Sequence, residues 1–503
     1  MTYRGDTITY EQLWRSVHAL AAAYRRLGVG RGDRVISALR NCPEHIVAIN
    51  AAWLVGAISV GADDDLTGSE LSWLVEHTEA AAVLFHPRAD AEDPVAPLRA
   101  VRASSPATAL VVHEGPPEPG CLQLGELLAE APDEPVPPAS ALGPDDTALL
   151  FLTSGTTGRP KAVMETLPVC WAKMQFFADG FGPGVDDVHL IFLPISHVFG
   201  LRLAMLALLR GGRVVLQERF SPTGALELIS REQVTVLPGM PTHLTLLLAK
   251  LDRDRHRLDS LRWAISAAAN LPRPLAERIY DELKVELLYV FGCSEGFTTR
   301  TTDREEILRG SVGKTVFRGP PGTPAAGTVA IMGADGEVVS RPGEIGEIVF
   351  GAAAPVRYWR RPEVASDGWY HTGDLGRIDS DGCLFVLGRL NDLVNRGGLK
   401  VSPVEVETVL VRHPAVADGA IVASPDPVLG EATCACVVAA DGHPPSLEEL
   451  RSFLGRTLAR HKLPDELCLV DGIPRSTLGK VDRTALRDLV ADVDVPRQRL
   501  RPR

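Results

Sequence analysis

No stretch of this 503-residue chain is long and apolar enough to cross a membrane, and no C-x-x-C pair occurs among its eight cysteines. The first absence argues against a membrane-spanning helix, and the second removes the simplest sign of a redox or metal-binding pair. Basic residues are in deficit too, 52 Lys and Arg against 64 Asp and Glu, for a formal charge of −12. A phosphate-backbone binder needs a basic stripe; only the tail "PRQRLRPR" is basic, and it reads as a solvated end. The opening "MTYRGDTITY" has no signal-peptide pattern, so a cytoplasmic protein with reduced thiols is expected.

What is present is ordinary globular composition, 45% hydrophobic and 23% charged, at a length that accommodates roughly three domain-sized units. "TYEQLWRSVHALAAAYRRLGVG" has helical apolar spacing and ends in glycine. "RVISAL", "AAVLFH", "TALLFLT", "VHLIFLP", "GRVVLQ", "QVTVLPG", "LRWAISAAA" and "VELLYVFG" are short apolar runs separated by helical stretches, the alternation of an α/β fold. Residues 115–146, rich in proline and acid, read as a surface excursion. After Gly310, glycine- and valine-rich runs predict hairpins, and the last hundred or so residues alternate strand and helix on a smaller scale. A boundary near Gly388–Asp392 fits a large α/β domain with a β-rich subdomain, followed by a small α/β one.

The densest chemical signal is "LLFLTSGTTGRPKAV". A buried strand leads into Thr153, Ser154, Gly155, Thr156, Thr157 and Gly158, with Lys161 close behind. Glycines free the backbone to turn its N–H groups on an anion, hydroxyls add donors, and lysine adds charge; this is an inventory for polyphosphate. It is not the Walker loop. "GSVGKT" at Gly310–Thr315 ends like one but has leucine where the first glycine belongs. "GVGRG" at Gly28–Gly32 lacks the last glycine of a dinucleotide fingerprint, so both read as turns. A third pattern, Gly292-Cys293-Ser294-Glu295-Gly296, fits the G-x-S-x-G elbow of hydrolases after a strand-like run. The following "FTTRTTDREE" is β-branched and polar, where an elbow needs a helix, so Ser294 does not read as a nucleophile.

"TSGTTGRPK" resembles the phosphate loop of the adenylate-forming superfamily: acyl- and aryl-CoA ligases, carrier-protein adenylation domains and luciferases. "LPISHVFGL", "SAAAN", "VFGCSEG", "GWYHTGDLG", "GRLNDLVNRGGLKVSPVEVE" and "PRSTLGKVDR" are similar to further motifs of that family, in the same order. The resemblance implies ATP, Mg2+ and coenzyme A as partners of an acid–thiol ligase. It puts Ser266, Ala268 and Phe291 against adenine, Asp374 and Arg389 at the ribose, and Ser294 at the phosphate. Glu295 would hold Mg2+, and Lys480 would be the mobile lysine of adenylate formation. His197, Ala267, Val290, Gly292 and Cys293 would border the carboxylic acid. Asn391 would be the hinge within 389–391, between an N-terminal domain over 1–388 and a mobile C-terminal one over 392–503, whose Gly397 and Gly398 would line the pantetheine channel.

Departures from the family pattern are Ala162 after the loop lysine, "METLPV" in place of a polar, histidine-containing stretch, Phe291 for tyrosine, Ser294 for threonine, and Asn391. Most face ATP, which leaves open a variant specialised for thioester formation with weak adenylation. No acidic residue in "LPISHVFGL" would receive an amino group, and Ala267, Ala268 and Ala269 leave volume, so a bulky apolar or aromatic acid is expected. An acyl carrier protein could replace coenzyme A as acceptor. A luciferase-like oxygenase and a non-catalytic nucleotide binder are the other readings; Lys480, Glu295 and Asp374 speak against the latter. Apart from Mg2+, no His/Cys cluster along the chain suggests a metal.

Overall fold

A computed structural model describes residues 1–88, 90–130, 136–137, 142–153, 161–315, 328–339, 341–351, 356–360, 368–440, 444–475, 480–491 and 496–499. Among these residues the strands form four sheets. One holds eight strands, its centre the parallel set Thr147–Thr153, Ile58–Ala62, Arg34–Ala38, Ala80–Phe85 and Ala109–Val112. A second, of nine strands, has the parallel centre Arg213–Leu216, Val188–Ile191, Val236–Pro238, Trp263–Ser266 and Glu286–Gly292. Strands such as "AAAVLF" and "ELLYVFG" are apolar without alternation because helices cover parallel sheets on both faces.

Local chemistry sets the helix boundaries. The predicted first helix runs Tyr10–Arg26; Thr9 caps it by accepting from the Gln12 N–H, while Gln12 reciprocates, and its apolar stripe buries Val17, Leu20 and Tyr24. The expected hairpins appear as the antiparallel set Val329–Met332, Gly346–Gly351, Trp369–Ile378 and Leu384–Arg389. The C-terminal stretch forms a six-stranded sheet around the long hairpin Val416–Asp426 and Gly430–Ala439.

Inside the supposed excursion over 115–146, a short strand Leu122–Gln123 and a helix Leu124–Ala129 join the fold, with Leu124 and Leu127 buried. Proline and acid on either side masked that six-residue apolar segment. After Gly292 the chain turns back into Phe297–Thr301, antiparallel to Glu286–Gly292, so no helix follows Ser294 and the hydrolase elbow is absent.

Candidate active site

The strands Thr147–Thr153 and Lys161–Thr166 form an antiparallel hairpin with Thr153 opposite Lys161. Its connecting residues, and with them Ser154, Gly155, Thr156, Thr157 and Gly158, lie outside the described residues. At the base, the Thr153 hydroxyl donates to the Lys161 carbonyl at 3.4 Å. The Lys161 ammonium stands 5.4 Å from the centre of the Tyr358 ring, a cation–π contact made possible because Arg357–Tyr358 pairs with the hairpin's second strand. Of the decoys, Lys314 of "GSVGKT" is tied to Glu306 at 3.1 Å and serves no phosphate loop.

Tyr358 carries the connection onward. Its hydroxyl donates to Glu295 Oε1 at 2.7 Å and lies 3.3 Å from the Tyr370 hydroxyl. Glu295 sits on a turn closed by Cys293 N–H to Gly296 carbonyl at 2.8 Å and the reciprocal bond at 3.2 Å. Behind that turn, the Lys173 ammonium donates to the Ser294 carbonyl at 2.7 Å and also to Glu165, which Arg202 engages from the other side. All three charged side chains are buried. Burial pulls Lys173 down to about 8 and Arg202 down to about 9. Burial, with Glu295 adding to it, pushes the Cys293 thiol up, so Cys293 is a neutral packing group at neutral pH.

On the adenine side of the expected site, Ser266 ends the strand Trp263–Ser266 and is buried. Ala268 holds φ +70°, a left-handed conformation that a side chain resists and that clusters at working sites. The Tyr289 hydroxyl fixes this strand end by donating to the Ala269 carbonyl at 3.1 Å and accepting from the Leu271 N–H at 3.0 Å. Phe291 is half-buried against the main core, opposite Thr299.

Asp374 and Arg389 face each other across antiparallel strands, Arg389 Nε 3.2 Å from Asp374 Oδ1. Burial pushes the Asp374 carboxyl up, against the pull of Arg389 and Lys480. Lys480 lies two residues before Asp482, whose N–H donates to the Pro474 carbonyl at 2.8 Å. The residue is exposed, yet its ammonium is crowded: burial and Arg389 lower it, while Asp374, Cys293 and Glu295 act in the opposite sense. Residues from the Cys293–Glu295 turn and from the paired strands of Asp374 and Arg389 thus act on one charge.

His197 stands at the start of the helix Val198–Leu209 with Nε2 3.1 Å from Asp63 Oδ1, which also accepts from the Ser196 hydroxyl at 2.8 Å. Burial works against ionised Asp63, but the adjacent His197 ring and the bond from the Ser196 hydroxyl hold its carboxyl below the usual range. Ala267 and Val290 are buried in the same apolar cluster against which Cys293 packs, as does Phe199, whose ring stacks 5.9 Å from Phe177.

Gly397 and Gly398 form the turn between Val394–Arg396 and Leu399–Val401, at φ +58° and +88°, the double left-handed geometry that glycine adopts most freely. Asn391 is exposed in the short helical turn Leu390–Asp392. Its neighbour Asp392 is anchored by Arg483 at 3.3 Å and Arg487 at 3.6 Å.

Sequence reasoning missed Asp63, Lys173, Tyr358 and Asp392. Asp63 opens "DDD", which reads as solvated charge, and Lys173 reads as the polar face of a helix. "RYWRRP" gives Tyr358 no motif at all. Only "PVCWAKMQFF", a lone lysine inside an apolar run, carried a usable signal for a buried charge.

Among known families, AMP-binding enzyme matches residues 1–357, and AMP-binding enzyme C-terminal domain matches residues 405–480. A salicylyl-CoA synthase / salicylate adenylyltransferase of a Streptomyces species is 34% identical over 97% of this chain and 90% of its own length. A feruloyl-CoA synthase of an Amycolatopsis species is 34% identical over 96% of this chain and 94% of its own. In structure, o-succinylbenzoate CoA synthetase from Bacillus subtilis, solved with its acyl-adenylate intermediate, superposes with a TM-score of 0.81 at 28% identity, over 97% of this chain and 94% of that one.

Proposed function

The chain belongs to the AMP-binding enzyme family, and we propose that it activates an aromatic carboxylic acid as its adenylate and passes the acyl group to coenzyme A. The observation that carries this reading is the convergence of Lys480, Asp374, Arg389 and Glu295. A carboxylate and ATP repel each other, so their reaction needs fixed positive charge where negative charge builds. Lys480 supplies it between the acid and the α-phosphate, while Asp374 accepts from the ribose hydroxyls and Arg389 keeps that carboxylate ionised and oriented. The acid's oxygen bonds to the α-phosphorus as the bridging bond to pyrophosphate breaks; the thiol sulfur then bonds to the acyl carbon and AMP leaves.

Glu295, a hard oxygen donor aimed by Tyr358, suits Mg2+. When bound, Mg2+ spreads the charge of the phosphates. Lys173 holds the turn that presents Glu295 and the Ser294 hydroxyl, and Asp63 orients His197 beside the acid.

Two observations support an aromatic acid. Ala267 and Val290, expected to border the acid, lie in the main apolar core against which Cys293 packs, and the salicylyl-CoA, feruloyl-CoA and o-succinylbenzoate CoA synthetases reported above are named for aromatic acids. The test is a panel of benzoates, cinnamates and straight-chain acids with ATP and Mg2+, offered coenzyme A or a carrier-protein thiol and read by mass spectrometry. Aromatic adenylates and coenzyme A thioesters are expected. Turnover confined to straight-chain acids would overturn the substrate class, and turnover only with the carrier thiol would overturn the acceptor.

A further inference from the structure

The sequence shows no His/Cys cluster, but the fold assembles one at the carboxyl ends of parallel strands. The strands Arg34–Ala38, Ala80–Phe85 and Ala109–Val112 lie side by side and parallel. The ladder continues past their carboxyl ends, with the His86 N–H donating to the Ala38 carbonyl at 3.0 Å and the His113 N–H to the Phe85 carbonyl at 2.9 Å. The two imidazoles are therefore neighbours, Nδ1 to Nδ1 at 3.0 Å. From the first strand the chain leads to Cys42 and Glu44 at the start of the helix Pro43–Leu54. That helix returns to Ile58–Ala62 on one side of the strand, whereas Ala80–Phe85 departs on the other. Such a reversal opens the crevice in which parallel sheets bind ligands.

We propose that Cys42, Glu44 and His113 bind a thiophilic divalent cation of the zinc type. Cys42 Sγ, a Glu44 carboxylate oxygen and a His113 ring nitrogen lie within 4.8 Å of one another. His113 Nε2 and Glu44 Oε2 are 3.5 Å apart. Zinc bonds of about 2.0–2.2 Å to nitrogen and oxygen place tetrahedral ligands about 3.4 Å apart, so this separation needs little adjustment. Glu44 Oε2 is buried and makes no hydrogen bond of good geometry, its polar neighbours being the other two ligands, His113 and Cys42. Cys42 is fully buried, and its side chain makes no capping bond to the helix it begins.

Charge and tautomer also agree. A thiolate and a carboxylate neutralise a divalent cation, so the loaded site adds no net charge to a buried region. Binding through Nε2 requires the proton of His113 on Nδ1, where His86 Nδ1 can accept it; an outer partner of this kind accompanies nearly all metal-bound histidines. Glu114 lies near both rings but is held by Arg4 at 2.9 and 3.0 Å, which leaves water as the fourth ligand. Sulfur and imidazole select zinc over the Mg2+ suited to Glu295, so the two sites do not compete for one ion.

The experiment strips the full-length protein with chelator and titrates it with Co2+, with Mg2+ omitted. One equivalent should raise the near-ultraviolet absorption of a cobalt–thiolate bond, and Zn2+ should abolish it. Cys42→Ser should lose the band and His86→Asn should weaken binding about 10–100-fold, as loss of an outer partner does. The wild type should also gain thermal stability with Zn2+, and Cys42→Ser should not. Absence of the band in the wild type overturns the proposal. So does its persistence in Cys42→Ser, which would assign the sulfur to another cysteine. Should Cys42→Ser fold poorly, His113→Asn decides, since an unchanged cobalt affinity there is equally fatal.

Discussion

Replacing Glu165 by glutamine should harm this protein more than removing either cation it holds. Glu165 is the carboxylate shared by Lys173 and Arg202, and the side chains are 1%, 9% and 0% exposed. Lys173→Met leaves Glu165 and Arg202 as a balanced pair and gives up a charged hydrogen bond to the Ser294 carbonyl, about 1.5–3 kcal/mol. Arg202→Met leaves Glu165 and Lys173 balanced in the same way. Glu165→Gln instead leaves two buried cations facing a neutral amide. Breaking a buried pair in this manner costs about 3–5 kcal/mol. Thermal midpoints shift by about 2–4 °C per kcal/mol in domains of 150–250 residues, so a difference of several degrees between the variants is measurable.

The pH dependence gives the same reasoning a second, sharper readout. Burial sets Lys173 at about 8 in the folded protein, below the value of about 10.4 that it regains on unfolding. Between those values the unfolded chain binds more protons, so stability rises with pH across that window. Lys173→Met should lack this rise up to about pH 9, above which Arg202 adds one of its own. Glu165→Gln, where Lys173 sheds its proton more readily still, should recover part of its loss as pH is raised from 7 to 9. Denaturant unfolding at several pH values measures both. A Lys173→Met protein less stable than Glu165→Gln, or one that keeps the wild-type slope, would refute the shared-carboxylate account.

Lys480→Ala should abolish adenylate formation while leaving conversion of a supplied acyl-adenylate and coenzyme A to thioester; equal loss of both in a folded protein counts against the role. In the wild type, crowding lowers Lys480, so adenylation should decline with rising pH earlier than an ordinary lysine, near 10.4, would dictate. Asp374→Ala should weaken ATP binding by about 10–100-fold in calorimetry, since unpaired ribose hydroxyls cost about 1–3 kcal/mol. Tyr358→Phe should raise the Mg2+ concentration needed for half-maximal adenylation by about tenfold with little change in KM for the acid, because the lost hydroxyl's shorter bond is the one to Glu295.

The parts of the site legible in the sequence are those whose chemistry is concentrated in neighbouring residues. "GCSEG" followed by β-branched residues announces a turn back into the sheet, as found, whereas most of the segment read as a phosphate loop lies outside the described residues. The first helix is readable for the same reason, its apolar spacing and closing glycine being local features of one stretch. The short helix Leu124–Ala129 was not, because its evidence is two leucines whose burial depends on a sheet edge formed elsewhere.

Supporting residues fail to appear in the sequence for a deeper reason. Tyr358 reaches Glu295 only because a two-residue strand pairs with Lys161–Thr166, and that pairing leaves no pattern in either stretch. Lys173 reaches the Ser294 carbonyl across the face of a helix that hides its own charge against Glu165. Asp63, in the run "DDD", is set apart from Asp64 and Asp65 by the proximity of His197 and Ser196, and nothing in the run itself selects it. Groups that touch substrate must present a definite chemical type at a definite place on the chain. Groups that aim them need only arrive at the right point in space, and many sequences satisfy that. The same asymmetry hides Cys42, Glu44, His86 and His113, which become a cluster only through the register of three adjacent strands.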